Sequence, residues 1–131
     1  MESARDSETL MQSTVARALH DLQLVGKPDA EALVLRDLSA SPCMEPIVAN
    51  IRALPPPAVN ELFAAAQARL EALASLARCD AALDALERES VATPRYAQIE
   101  EAAMRLSLLL RGASSTADYA EAVAAAQQVV G

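Results

Sequence analysis

Apolar residues recur at steps of three and four along most of the chain, and no stretch alternates apolar and polar residues as a strand does. Met11, Val15, Ala18, Leu22 and Val25 form the first stripe. They predict an amphipathic helix from Glu8 to Val25, stopped by Gly26, behind a polar, frayed end at residues 1–7. The segment "PDAEALVLRDLS" predicts a second helix, begun by Pro28 or Asp29, with Val34, Leu35 and Leu38 inward. Ser41, just before Pro42, is placed to cap a short third helix. Its face is Met44, Ile47, Val48, Ile51 and Leu54, and "LPPP" ends it, because a residue before proline avoids the helical region.

The next pattern changes partway. From Pro57 to Ser90 nothing breaks a helix, yet two apolar stripes follow one another. Val59, Phe63, Ala66, Leu70, Leu73 and Ala77 share one face. Leu76, Cys79, Leu83 and Leu86 share another, rotated by roughly a third of a turn. The segment reads either as one long central helix, bent near 79, or as two helices meeting at Cys79, with Asp80 as the second N-cap. Alanine-rich propensity favours the single helix.

Thr93-Pro94 has the form of a helix start, with Thr as N-cap and Pro as N1. Tyr96, Ile99, Ala103, Leu106 and Leu110 line one side of that helix, and Gly112 closes it. Ser115 or Thr116 caps a last helix with Tyr119, Ala122, Val123, Ala126 and Val130 inward. The predicted class is all-α: a compact bundle of six to seven helices, partly antiparallel hairpins, in a single helical domain from 8 to 131.

Composition thins this picture. The 131 residues are 53% hydrophobic, but alanine supplies much of that figure, with one Phe, two Tyr and no Trp. Alanine favours helix and buries little area, so the core is expected to be thin and to gain from a partner or a second copy. Net charge is -7 with a single Lys, Lys27, and there is no basic cluster of the kind nucleic acid or anionic lipid requires. The start "MESARDSETL" lacks the basic and apolar regions of a signal peptide, and no apolar run reaches the ~20 residues of a transmembrane segment. A cytoplasmic, bacterial-type protein is expected. Cys43 and Cys79 lie in apolar patterns without metal spacing and are expected to be two small buried hydrophobes in a reducing compartment.

Candidate chemistry is sparse. Carboxylates follow helix surfaces; Asp84 and Arg88, for example, are an i, i+4 pair. One His cannot supply the paired Glu-x-x-His of a di-iron bundle, and three dispersed glycines make no phosphate loop. No catalytic residue, cofactor or metal site is expected. The lone His20 projects nearly opposite the Met11–Leu22 stripe. The segment "VARALHDL" resembles the phosphoacceptor box of sensor histidine kinases through His20, Asp21 and Leu22. It departs from that box in lacking a basic residue at 23 and a proline soon after. The resemblance implies His20 as phosphoacceptor.

Two further pieces resemble tetratricopeptide hairpins. In "DYAEAVAAAQQVV", Tyr119 is followed by Ala122 and Ala126 at small-residue positions, and "GKPDAEALVLRDLSASP" sets a helix between a Gly turn and a closing Pro. No 34-residue period runs through the chain, and the loop from Gly112 to Thr116 exceeds the family's tight turn. The likeness implies a small helical protein similar to type III secretion chaperones.

Together these features predict a non-enzymatic interaction protein that acts as an adaptor, scaffold or chaperone. Its partner would be another protein or a second copy. A histidine phosphotransfer bundle using His20 and an amphipathic coat protein of the storage-granule type are the alternatives. The segment "RLSLLLRG" is apolar almost all round: Leu106 and Leu110 lie inward, Leu108 projects roughly opposite and Leu109 to one side. Met104, Leu108 and Leu109 are therefore the expected partner contact.

Overall fold

The computed structural model describes residues 4–90 and 93–130. Among them are six α-helices, one 3-10 turn and no strand. The helices are α1 (Ala4–Asp21), α2 (Ala30–Ser39), α3 (Glu45–Arg52), α4 (Pro56–Arg88), α5 (Pro94–Arg111) and α6 (Thr116–Val130); the 3-10 turn, Pro42–Met44, precedes α3. The all-α class is as the 3.6-residue period predicts. Residues 1–3 of the expected frayed end lie outside the described residues, and residues 4–7 belong to α1. The chain divides into two compact units, Met1–Gln67 and Ala68–Gly131, where the sequence pattern reads as one domain from 8 to 131.

In the first unit α1, α2 and α3 pack pairwise. Val15, Leu19, Val34 and Ile51 are fully buried, with Met11, Leu38, Ile47 and Val48 around them. The end of α1 corrects the sequence reading. The helix stops at Asp21, four residues short of Val25, because Gln23 adopts a left-handed conformation with φ 56°. The Gln23 N–H donates to the His20 carbonyl at 3.1 Å, and the Leu24 N–H to Leu19 at 2.9 Å. This is a Schellman motif built on glutamine. Gly26, with φ 78°, shapes the following turn instead of ending the helix. With no helix beneath them, Leu22 and Val25 are 38% and 49% exposed, and Leu19 takes the inner position.

Ser41 makes no capping bond; its hydroxyl lies 3.1 Å from the Cys43 thiol. Cys43, expected to be buried, is exposed: it lies in the 3-10 turn, none of whose residues is buried, ahead of the Ile47–Val48–Ile51 face of α3. Pro46 sits in the first turn of α3, where its missing N–H costs nothing.

Helix α4 runs unbroken through Cys79, so the two-helix alternative with an N-cap at Asp80 falls. Its buried positions change along its length. Val59, Leu62, Phe63 and Ala66 are buried in the first unit, and Ala72, Ser75 and Cys79 in the second. The first stripe therefore ends near Leu70, which is half-buried; Leu73 is 45% exposed and Ala77 is exposed.

The second unit packs α5 and α6 against the second part of α4 around Ile99, Leu106 and Tyr119. The α5–α6 pair is antiparallel: Arg95 Nη2 donates to the Val130 carbonyl at 2.9 Å, and Arg105 pairs with Glu121 at 3.0 Å. Both helix starts follow from local sequence. Thr93 Oγ1 accepts from the Tyr96 N–H at 3.3 Å. Ser115 and Asp118 form a reciprocal capping box, Asp118 N–H to Ser115 Oγ at 3.2 Å and Ser115 N–H to Asp118 Oδ2 at 3.4 Å.

Candidate functional site

Helix α5 carries two stripes. Ile99, Ala103, Leu106 and Leu110 face the core of the second unit. A second stripe, Ala97, Glu101, Met104, Leu108 and Arg111, faces solvent. Met104 is 60% and Leu108 61% exposed, the two largest exposures among the large apolar residues described. They lie four residues apart, one turn, and so stack on one surface. Leu109 behaves differently. It is half-buried and packs against the core cluster, because its position falls on the flank of the inner stripe.

Charged residues frame the exposed pair. Glu101 precedes it by one turn and Arg111 follows it by one turn, both exposed. Arg105, half-exposed beside the pair, is held by Glu121 of α6.

The other reactive side chains are dispersed. His20 is exposed at the end of α1, with Nδ1 3.4 Å from Asp21 Oδ1. Cys79 is fully buried, and desolvation pushes its thiol pKa up, aided by the neighbouring Asp80 carboxylate. A buried thiol held protonated is a poor nucleophile. Tyr96 donates to Glu87 Oε1 at 2.8 Å, a bond that pushes the phenol pKa up. Among the described residues, no group of three or more His, Cys, Asp or Glu side chains is placed to hold a metal ion. No described helix is long and apolar enough to cross a membrane.

In the first unit a shallow depression is lined by Leu22, Leu24, Leu33, Arg36 and Asp37. It was hidden from sequence reasoning because Leu22 continues the α1 period. The signal lies in Gln23, whose left-handed turn no side chain announces. No known protein family, curated protein or solved structure matches the chain.

Proposed function

We propose that this protein is a non-enzymatic helical interaction module of adaptor, scaffold or secretion-chaperone-like type, acting by protein–protein contact through the outer face of α5. The observation that carries this reading is the exposure of Met104 and Leu108 on adjacent turns, on a helix whose other face is already buried in its own unit. Full burial of a side chain of this size contributes about 1.5–3 kcal/mol, so the pair forms a usable anchor. Methionine adds adaptability, since its unbranched side chain fits irregular surfaces. We place the contact on Met104 and Leu108; Leu109 is half-buried and packs against the core cluster of the second unit.

A retention experiment tests this reading. Immobilised wild type should hold itself or a defined host protein, and Met104→Glu/Leu108→Glu should lose it at unchanged helicity. Retention equal in wild type and variant sinks the assignment.

His20 supports a second reading, phosphotransfer, through its exposure on α1 beside Asp21. Acid-labile phosphate on wild type, absent from His20→Ala, is its signature; an unlabelled wild type leaves His20 as a solvated surface residue.

A further inference from the structure

We infer that the outer face of α5 pairs with the same face of a second copy of this chain, antiparallel, about a two-fold axis between Met104 and Leu108. This rests on the contact reading above and names its partner. Ala97, Glu101, Met104, Leu108 and Arg111 follow steps of four, three, four and three, the seam of a two-stranded coiled coil. The seam lies on the solvent face of an 18-residue helix whose core stripe is separate and complete. Supercoiled pairing therefore needs no rearrangement of the unit.

The order of residues along the seam decides direction. In an isologous contact, residue i meets j and j meets i. An antiparallel pair centred between Met104 and Leu108 sets Met104 against Leu108 of the second copy, twice. One turn further out on each side, Glu101 meets Arg111, again twice. Both large apolar positions then face apolar ones, and both charged positions face their opposites. A parallel pair sets Glu101 against Glu101 and Arg111 against Arg111, and is repelled at both layers. Arg105 flanks the axis, where it approaches its own copy, and its charge is already met by Glu121 at 3.0 Å. Ala97, small and exposed, continues the stripe one turn beyond the paired layers. The paired stretch from 101 to 111 spans about 15 Å at 1.5 Å per residue. With two large apolar residues per copy, this belongs with small, transient contacts of less than about 1,200 Å².

Charge reversal tests the register. Glu101→Arg sets Arg against Arg at both outer layers, and Arg111→Glu sets Glu against Glu. By sedimentation equilibrium at low salt, each single variant should self-associate roughly tenfold or more weakly than wild type. An equimolar mixture of the two should recover the wild-type affinity, because each outer layer of the mixed dimer again sets one arginine against one glutamate. Glu101→Arg is the sharper arm. It reduces the overall negative charge of a chain at -7, so general repulsion predicts stronger association and the seam predicts weaker. Both positions are exposed on a helix surface, and circular dichroism checks that helicity is kept. Stronger association of Glu101→Arg, or a mixture no better than its components, overturns the antiparallel seam. If Leu108→Glu still abolishes self-association in that case, the contact reading survives with another register. A wild type that stays monomeric at every concentration overturns the second copy as occupant, and the retention experiment then decides the contact reading alone.

Discussion

Arg69 and Tyr119 meet at the end of α5: Arg69 Nη1 donates to the Tyr119 hydroxyl at 3.3 Å, and that hydroxyl donates to the Leu109 carbonyl at 3.3 Å. Arg69 Nη2 also donates to the Leu110 carbonyl. Two carbonyls in the last turn of α5 are thus bonded by side chains from α4 and α6, and that of Leu109 also accepts the Gly112 N–H at 3.3 Å. Tyr119 is fully buried, so its hydroxyl brings a polar group into the core only because these partners receive it. Tyr119→Phe should destabilise the second unit by about 1–3 kcal/mol in urea unfolding, since buried polar groups lose their partner. Arg69→Met should do the same, and the double variant should cost less than the sum of the two. Strict additivity would show that the two residues do not act as one network.

Gln23 carries the left-handed turn that ends α1. A non-glycine residue there costs about 1–2 kcal/mol of backbone strain. Gln23→Gly should therefore stabilise the fold in urea unfolding, by about 1 kcal/mol or slightly less once the added freedom of the unfolded chain is counted. Gly26→Ala should do the reverse. A β-carbon at Gly26 meets nothing within 4 Å, so its cost comes from the positive φ alone. A neutral or stabilising Gly26→Ala contradicts that turn.

These turns show what a sequence discloses. Thr93-Pro94 and Gly112 act through chemistry confined to a few residues, and each sits where the sequence places it; of Ser115 and Thr116, the two caps the sequence allows for α6, the fold uses Ser115, with Asp118 as its reciprocal partner. Gln23 has no such chemistry, so the α1 stripe runs on to Leu22 and Val25 on paper and ends at Leu19 in the fold. The faces of α4 blur for a related reason. In an alanine-rich helix the buried side is chosen by the approach of neighbours, and Ala72 and Ser75 are buried while Leu73 is exposed. The outer stripe of α5 was legible because Met104 and Leu108 are large and lie off the inner period. Leu109, on the border between stripes, could be assigned only with α6 and α4 in place.

The two cysteines should differ in reactivity. Cys43 is exposed, whereas Cys79 is buried with its thiol pKa pushed up by desolvation. A native titration with a chromophoric disulfide reagent should count one fast thiol per chain, with the second appearing only on unfolding. A raised folded pKa stabilises the native state below the unfolded thiol pKa, and that contribution is lost as pH rises through the folded value. Two fast thiols at neutral pH would place Cys79 at the surface.

Tyr96 gives a second pH signature. Its bond to Glu87 holds the proton on the phenol, so its folded pKa lies above the ordinary 10.0. The contribution to stability is complete below pH ~10 and fades as pH rises through the folded value. Glu87→Gln should lower the Tyr96 pKa read from tyrosinate absorbance in the near ultraviolet, because the acceptor loses its charge. No change on that substitution would break the link between the two residues.

The central claim is that the outer face of α5 is a contact surface and not solvated helix. Sedimentation velocity on wild type and Leu108→Glu, over a concentration series and with helicity checked by circular dichroism, tests it most directly. Wild type should sediment faster with rising concentration, and Leu108→Glu should remain at the monomer value with helicity unchanged. A variant that loses its helicity, or one that associates as strongly as wild type, contradicts the claim: the first result puts Leu108 in the core, and the second moves the contact away from α5.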